Sequence, residues 1–458
     1  MKRRFLVGRG AAVLVGELLM TWPALYNGYP LLYPDSMSYL EDGRLVARAV
    51  FLRKYSADYG GRSFIYCLGI LPFHWSVTPW PIVALQALVT AYVIWLVVRS
   101  ILPRQTALRY QVLVVLLSLL TSLSWFVSLI MPDILGPVEY LCIYLLVFAR
   151  ESITRAEHWI VVLIAWWAVA SHATHLMLAV GICALLALLL VLRRQAMQLR
   201  WRAIGEVAII VLLAAAAHLV LHAYLYGEAS LNGERLPFLM ARVIADGPGR
   251  WYLEQHCVEL KLTICDHVPD LPDNSDDFFW KTDGIWQSAD HATKKRLRQE
   301  EMRFVLATLR AYPRQQLSKS AGNFGEQLTT FGLWDLGPND WVLEVFDRVL
   351  PGRRPHYLQS RQARNALPVE FFTSVQSWTI ITSLVVIGAF APRLWRRRPP
   401  RLIGLSVVIV SMVFANGFVT GILSMVEDRF QSRVIWLLPL LAGVFVLEWL
   451  DHRTRLAA

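Results

Sequence analysis

Two aspartates lie at the ends of apolar runs, where a carboxylate could do acid–base chemistry at a membrane surface. Asp35 lies in YNGYPLLYPDSMSYLEDGR, residues 26–44, and Asp133 lies in SWFVSLIMPDILGPVEY, residues 124–140. An ionised carboxylate at that height could act as a general base and take a proton from an incoming hydroxyl. Each aspartate could also cap the helix that follows it by accepting hydrogen bonds from first-turn amides. The two roles are compatible, because a cap keeps the carboxylate ionised.

Three arginines could supply positive charge beside these acids. Arg62 in YGGRSF, and Arg429 and Arg433 in VEDRFQSRVIW, are the arginines closest to the predicted outer membrane face outside the long polar segment. The planar guanidinium group can bind two phosphate oxygens at once, so these residues are candidate ligands for a phosphate. The alternative is that they extend toward water or pair with Glu427 and Asp428.

Four histidines form two further candidate groups. His172 and His175 are three residues apart in SHATH, and His218 and His222 are four apart on one face of a predicted helix. Such pairs could ligate a divalent metal together with an aspartate. Hydrogen-bonded histidines are the more common case, and binding of an acceptor or a phosphate by His172 or His175 is favoured over metal binding. No metal ligand is therefore assigned, and a divalent metal is the less favoured cofactor hypothesis.

The composition is that of a polytopic membrane protein. Of 458 residues, 56% are hydrophobic and 17% are charged, and the mean hydropathy is +0.43. Ordinary soluble domains are less apolar and more charged. The net charge of +11 comes partly from short Lys and Arg clusters between apolar runs, such as RRQAMQLRWR, which the positive-inside rule assigns to cytoplasmic loops. The positive charge therefore indicates membrane orientation, and nucleic acid is not an expected partner.

Ten apolar segments are candidates for membrane spans, for which about 20 residues are needed to cross about 30 Å of hydrocarbon. The candidates are residues 5–22, 81–99, 110–130, 134–149, 159–171, 174–192, 203–224, 372–391, 402–424 and 433–450.

The fifth and sixth candidates form one apolar run that is too long for a single crossing. A single crossing would also put the basic cluster RRQAMQLRWR on the outer side, against the positive-inside rule. Two short helices that turn near SHATH are therefore predicted. Irregular backbone at that depth indicates a cavity lined by protein or water.

This topology places both termini in the cytoplasm and two long segments outside. The predicted organisation is a membrane module at 1–224 with a first outer loop at 23–80, a periplasmic domain at 225–371, and C-terminal membrane helices at 372–458. Cys257 and Cys265 lie in the predicted periplasmic domain, and they could form a disulfide if that compartment is oxidising.

The residues after Asp35 predict a helix that lies in the membrane interface. In SMSYLEDGRLVARAVFLRK, the apolar residues fall largely on one side and Arg44 and Arg48 on another. This amphipathic pattern is typical of interfacial helices.

These features together resemble the GT-C superfamily of membrane glycosyltransferases. The resemblance rests on the overall order of spans and outer segments, and at residue level on YPDSMSYL and MPDIL. It implies an all-helical bundle of about ten spans, Asp35 as the catalytic base and Asp133 as a helper that positions a substrate. Many members carry paired acids in the first loop, whereas Asp35 is followed by Ser36 and Met37. A single-base mechanism without a metal is therefore the expectation.

The resemblance implies sugar transfer, with inversion, from a polyprenyl-phosphate donor to an envelope acceptor: a lipid, a polysaccharide or a protein. The expected location is the inner membrane of a bacterium. Two other hypotheses remain open: a transporter or flippase of a lipid-linked or anionic solute, and a non-catalytic scaffold for envelope assembly. The sequence shows no inverted repeat of the kind that many transporters carry.

Overall fold

The protein is all-helical in the computed structural model, which describes residues 2–56, 59, 62–104, 106–231, 235–397 and 399–457. Within these ranges there is no β-strand, and the one isolated β-bridge joins Leu31 to Leu129. The predicted all-α fold is therefore confirmed.

The α-helices of the first part of the chain are α1 (Lys2–Met20), α2 (Trp22–Asn27), α3 (Pro34–Leu52), α4 (Phe64–Ile70), α5 (Trp80–Ile101), α6 (Thr106–Leu120), α7 (Leu123–Ser128), α8 (Leu135–Val147), α9 (Arg155–Ala170), α10 (Ala173–Met197) and α11 (Trp201–Tyr226). Those of the second part are α12 (Phe238–Ala245), α13 (Pro248–Leu260), α14 (Ser275–Trp280), α15 (Ile285–Ser288), α16 (His291–Ala311), α17 (Pro313–Thr329), α18 (Asp340–Val349), α19 (Arg354–Leu358), α20 (Val369–Arg397), α21 (Pro400–Leu423), α22 (Asp428–Ile435) and α23 (Leu437–Ala457). Short 3-10 helices cover Leu71–Phe73, Pro132–Ile134, Arg150–Ser152, Thr263–Asp270 and Trp334–Leu336.

Six helical segments among the described residues are long and apolar enough to cross a membrane. They are Trp80–Ile101, Ala173–Leu192, Trp201–Tyr226, Val369–Arg393, Pro400–Leu423 and Asp428–Arg453. Several long apolar helices support a multi-pass membrane protein. The predicted number of about ten spans is not confirmed.

Two of the predicted spans do not form a single helix of membrane-spanning length in the structure. The predicted span 110–130 is divided between α6 and α7, with Thr121 and Ser122 between them. The predicted span 134–149 is the helix α8, which has only 13 residues, all of them buried. An apolar helix of that length is typical of a protein core, where other helices cover it on every side.

The predicted break at SHATH is confirmed. Helix α9 ends at Ala170 and α10 begins at Ala173, so Ser171 and His172 lie between two helices. The predicted helix after Asp35 is also confirmed as α3.

The backbone of the segment that leads into α3 is held by a glutamine side chain. The side chain of Gln362 accepts from the Leu32 N–H at 3.0 Å and donates to the Leu32 carbonyl at 2.7 Å. Farther along α3, Glu41 accepts from Arg348 at 2.9 Å. The two Gln362 hydrogen bonds fix the direction in which the chain enters α3 and therefore the position of Asp35.

The chain divides into two compact units. The first comprises Met1–Gly233, Gly332–Val413 and Ser432–Ala458, and the second comprises Glu234–Phe331 and Phe414–Gln431. Large aromatic side chains such as Phe278, Phe279 and Phe304 form the core of the second unit. Within this unit Cys257 and Cys265 form a disulfide, as the sequence allowed. The periplasmic location of residues 225–371 stays a prediction.

Candidate functional site

Asp35 lies at the start of α3 but does not cap it. The helix begins at Pro34 and is preceded by Tyr33, whose N–H donates to the Ser36 hydroxyl at 2.9 Å. Asp35 is the second residue of the helix, and its carboxylate forms an ion pair with Arg62. The cap interpretation was wrong because α3 begins at Pro34, one residue before Asp35, and Tyr33 holds the cap position. The Asp35 carboxylate pairs with Arg62 instead.

Arg62 lies just before α4, in a loop that is tied to α9. The hydroxyl of the next residue, Ser63, donates to the Ala170 carbonyl at the end of α9, at 2.8 Å. The Asp35 and Arg62 side chains are 17% and 24% exposed. This pair is therefore partly open to a molecule from outside the protein.

Asp133 forms the second acid–arginine pair. It lies in the 3-10 helix Pro132–Ile134, which Met131 precedes, so Asp133 is not its cap. Its carboxylate accepts from Arg433 of α22 at 3.3 Å, and both side chains are 3% exposed. A buried charge is stable only when it is paired, which explains why these two residues meet.

The two acids follow segments that pair with each other. The N–H of Leu31 donates to the Ser128 carbonyl, and the Leu31 carbonyl accepts from Ile130, both at 3.0 Å. Leu31 and Leu129 form a parallel bridge, and each lies four residues before its aspartate in an L-x-x-P-D sequence, LLYPD and LIMPD. The same spacing in two parallel segments brings Asp35 and Asp133 to the same level of the first unit.

Tyr39 is a site residue that the sequence did not reveal. It lies one turn after Asp35 on α3, is fully buried, and packs edge-on against the Tyr66 ring at 5.0 Å. The charges of Arg62, Asp35 and Asp133 all act on its hydroxyl, which has no hydrogen-bond partner among the described residues. Burial raises the pKa of Tyr39 well above its ordinary value, so the hydroxyl keeps its proton and can donate. No local sequence pattern distinguishes such a tyrosine from a core tyrosine.

His172 and His175 both lie near this site, but they differ in hydrogen bonding. The centres of their rings are 5.5 Å apart. Burial lowers the pKa of His172 well below its ordinary value, with His175 and Arg433 adding to the effect. The neutral His172 ring accepts from the Thr174 N–H at Nδ1, at 3.1 Å, so its proton is on Nε2.

His175 has the opposite arrangement of its ring proton. Its Nδ1 donates to the Ala168 carbonyl at 2.9 Å, and its buried Nε2 has no partner among the residues described. In the neutral ring Nε2 is then an acceptor, which cannot bind a phosphate oxygen. A Cβ atom added to Gly136 would lie only 3.0 Å from His175 Nε2. The glycine therefore allows the His175 ring to pack closely against α8. Of the two predicted histidines, only His172 presents a donor.

Glu139 is a second residue that the sequence prediction missed. It lies on α8, two helical turns after Asp133, and is fully buried. Neither carboxyl oxygen has a hydrogen-bond partner in the described part of the chain, although Arg433 is close enough to interact with it electrostatically. An acid within the apolar sequence GPVEYLCIYLLV was the available signal, because ionisable residues in such helices are often functional.

The remaining predicted site residues are Arg429, His218 and His222. Arg429 belongs to the second unit, where its guanidinium lies 5.2 Å from the centre of the Phe430 ring. His218 and His222 are buried on α11 with ring centres 5.7 Å apart, and His222 donates to the Ser230 carbonyl. Among the described residues, no three or more His, Cys, Asp or Glu side chains are grouped so that they could hold a metal ion.

An apolar groove lies between α9 and α11. Its volume is about 730 Å3, within the range of ligand pockets, and its walls include Trp159, Trp166 and Leu221. Leu221 packs in one cluster with Phe64, two residues after Arg62. One wall residue of the groove therefore belongs to the same apolar cluster as the start of α4.

The site combines a partly exposed carboxylate, which can change its partner, with hydrogen-bond donors that the protein holds in place. The partly exposed Asp35 carboxylate can accept a proton, and Arg62 beside it can bind an anion such as phosphate. The buried Asp133–Arg433 pair adds a fixed dipole within the protein. Comparisons of the chain with protein-family models, with curated proteins and with solved structures found no match.

Proposed function

We propose that this chain is an inverting membrane glycosyltransferase of the GT-C type. It transfers a sugar from a polyprenyl-phosphate donor to a cell-envelope acceptor, which is a lipid, a polysaccharide or a protein. The observation that carries the proposal is the pairing of the two L-x-x-P-D segments, which sets a partly exposed acid–arginine pair beside a buried one.

In the proposed reaction, Asp35 is the general base. Its carboxylate takes the proton of the acceptor hydroxyl as that oxygen attacks the anomeric carbon from the face opposite the phosphate. The bond between the anomeric carbon and the phosphate oxygen breaks, and the lipid phosphate leaves with the electron pair. Arg62 stabilises the negative charge that grows on the phosphate.

Asp133 and Arg433 have a positioning role in this proposal. Because both side chains are almost fully buried, they act on the substrates through their charges and through the backbone they hold in place. His172 is the further candidate for a phosphate ligand, since its Nε2 carries a proton. Arg429 stays a candidate phosphate ligand from sequence alone.

The apolar groove between α9 and α11 suits the hydrocarbon tail of the donor. Its walls are helices that face the membrane interior in the proposed topology, so a tail could enter it from the bilayer. The apolar cluster that a groove wall residue shares with the start of α4 would bring the attached phosphate toward Arg62. The proposed setting is a bacterial inner membrane with about ten crossings, cytoplasmic termini and a periplasmic domain at residues 225–371.

The test is transfer of a labelled sugar in liposomes that contain the full chain. A panel of polyprenyl-phosphate sugars is supplied with envelope lipids and polysaccharides as acceptors. Asp35→Asn should reduce transfer by at least about a hundredfold, as expected for the loss of a general base, with thermal unfolding unchanged.

Glu41→Gln is the matched control, because Glu41 lies on the same helix and pairs with the exposed Arg348. This variant should transfer sugar at the wild-type rate. Wild-type transfer by Asp35→Asn would contradict the proposal.

A transporter of an anionic or lipid-linked solute is the second candidate, and Glu139 favours it. A buried carboxyl that makes no hydrogen bond with the described residues and lies close to Arg433 resembles the intramembrane acids that take up protons during transport. A transporter predicts that Glu139→Gln abolishes uptake of a labelled polyprenyl-phosphate sugar across the liposome membrane. The transferase predicts that the same variant still transfers sugar. The two assays on one variant therefore separate the two functions.

A further inference from the structure

The Tyr39 hydroxyl makes no hydrogen bond within the described part of the chain. Its side chain is fully buried, yet none of the residues that the structure describes accepts or donates a hydrogen bond at its oxygen. A buried hydroxyl without a partner destabilises a protein, and phenylalanine would fill the same space without that cost. An unused buried hydroxyl beside two acids therefore points to a ligand.

The neighbouring tyrosine provides an internal comparison. Tyr66 packs against Tyr39 with ring centres 5.0 Å apart and is also fully buried. Its hydroxyl donates to the Gln86 side chain at 2.7 Å, and Gln86 donates in turn to the carbonyls of Val127 and Leu129. The Tyr66 hydroxyl thus supports the fold, whereas the Tyr39 hydroxyl does not.

The groups around Tyr39 define the kind of ligand. The Tyr39 hydroxyl keeps its proton, and the charge of Arg62 acts on it. The charge of Arg62 also acts on His172, whose proton is on Nε2. Three hydrogen-bond donors in one neighbourhood suit an oxyanion, and the planar guanidinium in particular suits a phosphate.

We propose that Tyr39 is a substrate-contacting residue whose hydroxyl donates a hydrogen bond to an oxygen of the lipid phosphate bound by Arg62. The inference rests on the proposed function for the identity of that phosphate. The Asp35–Arg62 pair is the partly exposed side of this neighbourhood, so the phosphate reaches Tyr39 by exchanging with Asp35 on Arg62. This exchange releases the Asp35 carboxylate from Arg62, and Asp35 can then accept the proton of the acceptor hydroxyl.

The test is lipid binding by the full chain in nanodiscs, without turnover. Geranylgeranyl phosphate is titrated against wild type and Tyr39→Phe, and geranylgeraniol serves as the uncharged comparison. Tyr39→Phe should weaken binding of the phosphate about tenfold, the effect of one hydrogen bond to a charged group. It should bind the alcohol like wild type and unfold at the same or a higher temperature.

Tyr66→Phe is the matched control. It removes a hydroxyl from the adjacent ring, so it should lower the unfolding temperature and bind the phosphate like wild type. Wild-type phosphate affinity in Tyr39→Phe would overturn the inference, as would a loss of stability equal to that of Tyr66→Phe.

The outcome is separable from that of the proposed function. If Asp35→Asn abolishes sugar transfer while Tyr39→Phe binds the phosphate normally, only the role of Tyr39 fails. If no donor supports transfer but Tyr39→Phe selectively loses the phosphate, the binding site stands and the transferase proposal fails.

Discussion

The first unit contains two acid–arginine pairs that differ in exposure. We call the partly exposed Asp35–Arg62 pair the open pair and the buried Asp133–Arg433 pair the closed pair. Asp35 and Asp133 each end an L-x-x-P-D segment, the segments run side by side, and each carboxylate pairs with an arginine. The Asp35–Arg62 pair is 17% and 24% exposed, whereas the Asp133–Arg433 pair is 3% exposed at both side chains. Both pairs share the L-x-x-P-D sequence and an arginine partner, and they differ in how far other residues cover them.

Burial determines what each pair can do. A partly exposed carboxylate can exchange its partner and take a proton from a substrate. A buried ion pair is costly to separate, because either charge left alone would lose its solvation without compensation. The open pair is therefore suited to chemistry and the closed pair to holding the structure around it.

The largest expected effect is on the closed pair. Arg433→Met should destabilise the protein by about 3–5 kcal/mol, since it leaves Asp133 as a buried charge without its arginine. Thermal unfolding in a fixed detergent measures this effect.

The control for that variant replaces both partners. Asp133→Leu combined with Arg433→Met should recover most of the lost stability, because apolar side chains of similar volume remove the buried carboxylate together with its arginine. If the double variant is as unstable as the single one, the cost does not come from leaving the carboxylate without Arg433, and the contrast between the pairs is lost.

An intermediate effect is expected on the rate of sugar transfer when Arg62 of the open pair is replaced. Arg62→Lys keeps the positive charge but loses the planar donor fork, so sugar transfer should fall by about tenfold. The unfolding temperature should stay close to that of wild type. Transfer at the wild-type rate would show that Arg62 acts only as a point charge or does not contact the phosphate.

The smallest effect is expected on stability at the open pair. Arg62→Met should change the free energy of unfolding by less than about 1 kcal/mol, because solvent can screen a partly exposed carboxylate. The measurement uses the same detergent as for Arg433→Met. A loss of stability as large as that of Arg433→Met would remove the distinction between the two pairs.

Local patterns in the sequence predicted much of the fold. Apolar run length predicted the long helices, and the orientation of basic clusters predicted the break that leaves Ser171 and His172 between α9 and α10. The amphipathic pattern after Asp35 predicted α3. Each of these features depends on residues that are close in the chain.

The rest depends on contacts between distant residues. The sequence made Asp35, Asp133, Arg62 and Arg433 candidates but could not pair them, because the partners are separated by long stretches of chain. It also could not show that all 13 residues of α8 are covered by other parts of the protein. Tyr39 has an ordinary sequence context, and only the packing of the described residues around it shows that none of them forms a hydrogen bond with its hydroxyl.

The most direct test of the central claim is an experimental structure of the full chain with a polyprenyl phosphate bound. We expect the phosphate group within hydrogen-bond distance of Arg62 and the Tyr39 hydroxyl, with Asp35 turned toward the acceptor side. The Asp133–Arg433 pair should remain intact. A phosphate bound away from Arg62, with the Asp35–Arg62 pair unchanged, would contradict the claim that the open pair is the reaction centre.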